Sequence, residues 1–261
     1  MDLTHPDVFH YSGLTWWAPL SDARVDAVLS LTPIGAGDRV LDVGCGRGAL
    51  LLRLARTGAS AVGVERSAGA LLQAEAARLA RAPDADVQWV ARDVNDEPLP
   101  AGAFSLVCWV GGPFIGGDFA STVAALVERV RPGGYLLIGH GFWSSPPPAP
   151  YLEATGLSAE ELTDSWANVA AVQALGLRLL YSTVSDRDEW DAFEGRIQYN
   201  VEQRAIEHPE DPDPQGRLEG RRGWAEAQHR WGREAMGFGL YLFRRPLNAS
   251  AQGPDVTIAS P

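Results

Sequence analysis

Between Val40 and Ala55 the sequence reads VLDVGCGRGALLLRLA, with Gly44, Gly46 and Gly48 alternating between a short apolar run and a leucine-rich one. Side chains at those positions would hold a ligand away from the backbone, and a helix starting just after them offers amides to something anionic. Two ligands suit such a turn: the pyrophosphate of a dinucleotide, or the carboxylate and amine of a methionine-like group. The dinucleotide fingerprint places glycines at offsets zero, two and five. Here they fall at zero, two and four, with an alanine tolerated by the looser fingerprint, Ala49, at five. Spacing leaves both ligands open.

The flanking acids separate them. Asp42 sits one residue inside a strand end, where a carboxylate holds an ammonium group or fixes the turn and where pyrophosphate is repelled. Glu65 closes the next apolar run, in place to accept two ribose hydroxyls through its two oxygens. Asp93 follows the third run, able to accept from an exocyclic adenine amine while the next amide, that of Val94, pairs with a ring nitrogen. One acid after each of three successive strands is a narrower pattern than a glycine turn alone.

These residues need strands and helices in alternation, and the pattern supplies them. Ser21 caps a helix carrying Val25, Val28 and Leu29 that ends before Pro33. Arg39–Val43 and Ala61–Glu65 read as buried strands, Ala49–Arg56 as a helix, and Ser67 as the cap of a helix through Leu79. Val87–Arg92, Phe104–Val110 and Tyr135–His140 are further strands, with a helix around Ser121–Val130 before the turn Arg131-Pro-Gly-Gly. Alternation at this spacing calls for right-handed βαβ units and a parallel sheet covered on both faces.

Beyond Gly141 the character changes. FWSSPPPAPY crowds four prolines into five positions and reads as a loop. A helix near Asn168–Leu175 leads to a strand at Leu177–Ser182, and the last strand is Phe238–Arg244. In between, Trp190, Phe193, Ile197 and Val201 form one helical stripe, and Trp224, Gln228 and Trp231 another. HPEDPDPQG between them is a turn-former run, and 248–261 is a small, polar, frayed tail.

Composition narrows the partners. The 33 acidic and 22 basic residues give a formal charge of −11, which repels nucleic acid and anionic membranes. Cys45 and Cys108 are too few for a disulfide framework or thiolate zinc site and fit a reduced, cytoplasmic compartment. No basic, then apolar, leader opens the chain, and no run approaches the ~18 apolar residues of a membrane span. The sequon at Asn248 is then without consequence. No His, Cys and carboxylate group has metal-ligand spacing, so no metal is expected.

VLDVGCGRG, VGVERS, ARDVN, FSLVCWVGG and VRPGGYLLIGHGFW, taken in that order over Arg39–Phe142, closely resemble the class I S-adenosylmethionine-dependent methyltransferases. WAPLS at Trp17–Ser21, DEWDAFEG and GFGLYLFRRP are similar to a bacterial small-molecule subgroup of largely unassigned substrate. The resemblance implies a Rossmann-like seven-stranded sheet, mostly parallel with an antiparallel last strand. It implies that Asp42, Gly44 and Gly46, with Cys45 between them, border the methionine end of the donor. Glu65, with Arg66 beside it, would border the ribose, and Asp93 and Val94 the adenine. Trp109 and Val110 would line the path to the transferred methyl. Subgroup members often carry an acid where His140 stands. Trp109-Val-Gly-Gly112 replaces the polar signature of amine methylation on nucleic acids or glutamine, arguing against those substrates.

His140, ending the fifth strand, is the candidate general base, against a plain histidine bonded to a nearby carbonyl. Tyr11, beside His10, is expected to fold over the donor. Trp16, Trp143 and Tyr199 are the remaining candidate substrate contacts, since ring faces attract a sulfonium or a cationic acceptor. Trp190, Trp224 and Trp231 read instead as packing. His5, His208 and His229 read as surface residues. Arg217, Arg221, Arg222, Arg230 and Arg233 read as a solvated face interleaved with acids.

The expected organisation is one domain over 1–247: an N-terminal cap (1–34), a cofactor-binding core (35–142), a loop or lid (143–166), a helical insertion (184–236) and the last strand (237–247). The expected activity is methyl transfer to an O, N, S or C atom of a small molecule by a monomer or homodimer. A nicotinamide-dependent oxidoreductase and a non-catalytic cofactor-binding protein are the alternatives.

Overall fold

The computed structural model describes residues 9–96, 98–100, 103–210 and 214–247. The expectations for His5, Asn248 and the tail 248–261 lie outside these residues.

Seven strands form one sheet: β1 (Arg39–Val43), β2 (Ser60–Glu65), β3 (Val87–Ala91), β4 (Phe104–Val110), β5 (Val130–Trp143), β6 (Arg178–Val184) and β7 (Met236–Arg244). Their order is β3-β2-β1-β4-β5-β7-β6. β1 to β5 pair in parallel, and β7 runs antiparallel between β5 and β6. The order reverses at β1 and β4. A crevice opens beyond the carboxyl ends of these strands, where ligands of open α/β sheets bind.

Helices α1 (Asp22–Leu29), α2 (Ala49–Ala55), α3 (Ala68–Arg81), α4 (Phe119–Val127), α5 (Ala149–Thr155), α6 (Ser165–Ala174), α7 (Arg187–Glu207) and α8 (Pro214–Ala227) surround the sheet. Ser21 and Ser67 cap α1 and α3 by accepting from the Arg24 and Ala70 amides. Strands β1 and β4 are buried almost throughout because both sheet faces are covered. On one face Leu41, Val43, Trp109 and Ile138 pack with Val123 and Val172, and on the other Val40, Cys108 and Leu137 pack with Val25, Leu51 and Leu71.

The structure departs from the sequence expectations at three places. The proline run does not stay a loop: Pro148 stands at the N-cap of α5, a helix start being where proline costs nothing. Pro214 likewise begins α8, shortening the expected HPEDPDPQG loop. The Arg131–Gly134 turn lies within β5, as an irregularity between the Phe104–Val130 and Leu106–Tyr135 pairs, with Gly133 at φ 75°.

Candidate functional site

Gly44, Gly46 and Gly48 all have positive φ, at 75°, 51° and 71°. Each is also closed in from a different side. A Cβ on Gly44 would lie 2.9 Å from the Gly112 Cα, one on Gly46 3.4 Å from the Trp17 ring, and one on Gly48 2.5 Å from Trp89.

The amides of this turn are spent internally. Gly44 and Cys45 both donate to the Val64 carbonyl at 2.8 and 3.1 Å, and Gly48 donates to the Cys45 carbonyl at 2.8 Å. Gly46 donates to Glu65 Oε2 at 3.1 Å, while Glu65 Oε1 accepts from the Ser67 amide at 2.8 Å. These four amides are therefore not free for a ligand, whereas at the helix start the Ala49, Leu50 and Leu51 amides have no acceptor among the described residues. Glu65 latches the turn to the end of β2, and its oxygens keep lone pairs for hydroxyl donors.

Asp42 points into a small chamber lined by Trp16, Trp17, Cys45, Arg47, Val110 and Leu240, among others. It is buried and has no hydrogen-bond partner among the described residues. Burial, with the nearby Glu65 charge, pushes its carboxyl up to about 7. Burial likewise holds the Cys45 thiol well above its usual range, so that it is no nucleophile.

A second cleft of about 290 Å³ adjoins it, lined by Tyr11, Trp17, Glu65, Arg66, Asp93, Val94 and Val110 through Pro113. Asp93 Oδ1 accepts from the Asn95 amide at 2.9 Å, which turns the chain and leaves the Val94 amide with no protein acceptor among the described residues. Trp17 divides the two cavities. Its ring stacks on Tyr11 at 4.7 Å, and its buried Nε1 has no partner among the described residues.

Asp42, Gly44, Cys45, Gly46, Glu65, Arg66, Asp93, Val94, Val110, Tyr11 and Trp16 thus line one or both cavities. Four expected residues do not. Trp109 is wholly buried, its Nε1 donating to the Pro113 carbonyl at 3.0 Å, so its side chain turns into the core instead of lining a path. His140 packs in an aromatic cage of Trp109, Phe114 and Phe119, centroids 5.3, 5.5 and 4.8 Å away, and burial lowers its pKa to about 4. Neither the expected base position nor the carbonyl-bonded alternative is what the structure has. Trp143 donates to the Ala159 carbonyl and packs edge-on against Tyr151 in a satellite core. Tyr199 is 57% exposed, beneath Arg196.

The arginine cluster is taken up by acids. Arg221, Arg222, Arg230 and Arg233 pair with Glu194, Glu202, Glu226 and Asp191. Among the described residues there is no cluster of His, Cys, Asp and Glu suited to a metal ion, and no helix long and apolar enough to cross a membrane.

Sequence reasoning placed Trp17 beside the expected pocket without numbering it among the substrate contacts, and it passed over Arg47 and Asn200. Arg47 lies inside the glycine turn yet donates through Nη2 to the carbonyls of Tyr11, at 3.0 Å, and Leu14. Asn200 donates to His10 and Ser12. Arg47 and Trp17 stood in quoted motifs, whereas nothing local to Asn200 signals its role.

The methyltransferase-domain family matches residues 40–134. The uncharacterised protein YjhP of Escherichia coli strain K12 is 26% identical over 84% of this chain and 88% of its own length, and its crystal structure superposes with a TM-score of 0.80. A methyltransferase from Thiobacillus denitrificans, solved with S-adenosyl-L-homocysteine, superposes at 0.81 over 93% of this chain and 99% of its own, at 23% identity. The ubiquinone biosynthesis O-methyltransferase of Ralstonia nicotianae is 34% identical over 46% of this chain, and the chain spans 54% of that enzyme.

Proposed function

We propose that this chain is a class I S-adenosylmethionine-dependent methyltransferase whose methyl acceptor is a small molecule. The donor, when bound, supplies a methyl carbon activated by a sulfonium for in-line displacement. One observation carries the assignment of its site: a buried, unpartnered Asp42 and an unpaired Val94 amide flank a glycine turn whose own amides are occupied. An ammonium group satisfies the first and a purine nitrogen the second. Pyrophosphate satisfies neither.

Asp42 is read as holding the amino-acid end of the donor, Glu65 the ribose hydroxyls, and Asp93 with Val94 the adenine edge. Gly44 and Gly46 let the donor lie on the backbone, and Val110, lining both cavities, lies beside the transferred methyl. Trp17 and Tyr11 cover it and exclude water. Holding nucleophile and methyl carbon in line supplies on the order of 7–11 kcal/mol, so the reaction needs little from a side-chain base. With His140 caged away from both cavities, an acceptor already nucleophilic near neutral pH is favoured. A polyanionic acceptor is disfavoured by the charge of −11. The O-methyltransferases share too short a stretch with this chain for their acceptor to be carried over. Two free, buried cysteines support a reduced, cytoplasmic setting.

Calorimetry with S-adenosylhomocysteine and with NADH, followed by a screen of metabolite extracts with methyl-labelled donor, tests the reading. Binding of the sulfur compound and label in a low-mass product are expected. Binding of NADH alone overturns it.

A further inference from the structure

Phe9–Trp17 crosses the mouth of the donor cleft as a strap, and both neighbours grip its backbone. From below, Arg47 of the glycine turn donates to the Tyr11 and Leu14 carbonyls. From above, the Asn200 amide group donates one hydrogen to the His10 carbonyl at 2.7 Å and the other to Ser12 at 2.8 Å. Four strap carbonyls are thus held by two side chains.

Asn200 does not act alone on α7. Arg196 and Arg204 lie four residues before and after it, on the same helical face. The Arg196 guanidinium lies against Gly13, where a Cβ would meet it at 3.6 Å, and that of Arg204 sits 4.9 Å over the Phe9 ring. Phe193 extends the same face to the Tyr11 ring, 6.1 Å away. One face of the insertion helix therefore runs along Phe9–Gly13 of the strap.

The chamber beneath the strap is small in this state, at about 50 Å³. The Trp17 ring lies against Gly46, so a donor seated on that glycine displaces it. Trp17 belongs to the strap, and Arg47 directly follows Gly46, one of the two glycines that the donor would rest upon.

We propose that Arg47 and Asn200 are positioning residues that latch the strap over the bound donor, so that donor seating and completion of the acceptor side happen as one closure. The proposal rests on the donor reading above. Arg47 senses the glycine turn, and Asn200 joins the strap to the insertion helix that would cover the acceptor. Donor therefore binds first, to the open strap, and leaves last.

The test uses S-adenosylhomocysteine as probe and Trp16 and Trp17 as built-in fluorophores, in stopped-flow binding to the full chain. Asn200→Asp keeps the shape but sets a carboxylate against two carbonyl oxygens, and Asn200→Ala removes the latch without adding charge. Dissociation should quicken about tenfold or more in both, as expected for two lost hydrogen bonds, with association no slower. Hydrogen exchange at amides 10–17 should be slowed by the probe in the parent and not in the variants. A fold defect would instead lower the melting temperature and speed exchange in β1 and β4. Dissociation within twofold of the parent in both variants, with strap protection retained, overturns the latch. Absence of probe binding to the parent overturns the donor reading itself.

Discussion

Asp42 and His140 project from opposite faces of the sheet. The rung Asp42–Cys108–Leu137 puts Asp42 on the face of Leu137, and His140, three residues on, falls on the other with Trp109. The chamber therefore faces the carboxyl and not the imidazole. His140→Phe should keep methyl transfer and leave its pH profile unshifted, which a rate measurement from pH 5 to 9 would check. The same variant should resist acid better. The imidazole has a folded pKa of about 4, depressed below the unfolded ~6.5, so its contribution to stability is present above pH ~6.5 and fades as pH falls towards 4. Removing it should flatten that part of the stability curve by on the order of 1–3 kcal/mol.

Glu65 has two duties, latching the Gly46 and Ser67 amides and facing the cleft. Glu65→Ala should weaken S-adenosylhomocysteine binding by ~1–3 kcal/mol through loss of charge-assisted bonds, and should loosen the turn as well. Glu65→Gln keeps one oxygen and should lose less. Calorimetry ranks the three proteins, and equal affinities would remove Glu65 from the site.

Much of the sheet was readable because parallel strands buried on both faces appear as unbroken apolar runs, and glycine turns and serine caps mark their ends. That same absence of alternation hides which face a residue takes. FSLVCWV and YLLIGH carry no period-two signal, so nothing local said that Trp109 turns inward or that His140 follows it across the sheet. Trp143 was misjudged for a related reason: its neighbours Tyr151 and Ala159 belong to the proline-led segment that read as a loop. The three candidate donor acids stand out in the sequence because each lies within two residues of a strand's carboxyl end. Asn200 was not, since its partners His10 and Ser12 lie 190 and 188 residues away.

Gly44 gives a steric test. At φ 75° an L side chain is strained, and a Cβ would lie 2.9 Å from the Gly112 Cα, a backbone atom with little room to yield. Gly44→Ala should cost about 1–3 kcal/mol of stability and push Gly112 and Pro113 into the cleft. Thermal unfolding and donor affinity should fall together. Gly37→Ala also carries a positive φ, 89°, but meets nothing within 4 Å. It should lose stability alone, which separates strain from obstruction.

Asp42 sets function against stability. With its folded pKa raised to about 7, above the usual carboxylate value of about 4, the native carboxyl stays protonated where the unfolded one has ionised. The unfolded state then binds fewer protons, so stability falls as pH rises from ~4 to about 7 and levels off once the native group ionises too. Asp42→Asn removes the titration and should stabilise the free protein at pH 8 by on the order of 2–4 kcal/mol. It also removes the one acidic group among the described residues that line the chamber, because the other carboxylate nearby, Glu65, lines the adjoining cleft. Donor affinity should collapse in the variant whose melting point rises. In the parent, binding a cationic amino-acid end at pH 7 should release a proton, read as a dependence of calorimetric heat on buffer ionisation enthalpy. A variant both less stable at pH 8 and unimpaired in binding would show that Asp42 is a structural carboxyl.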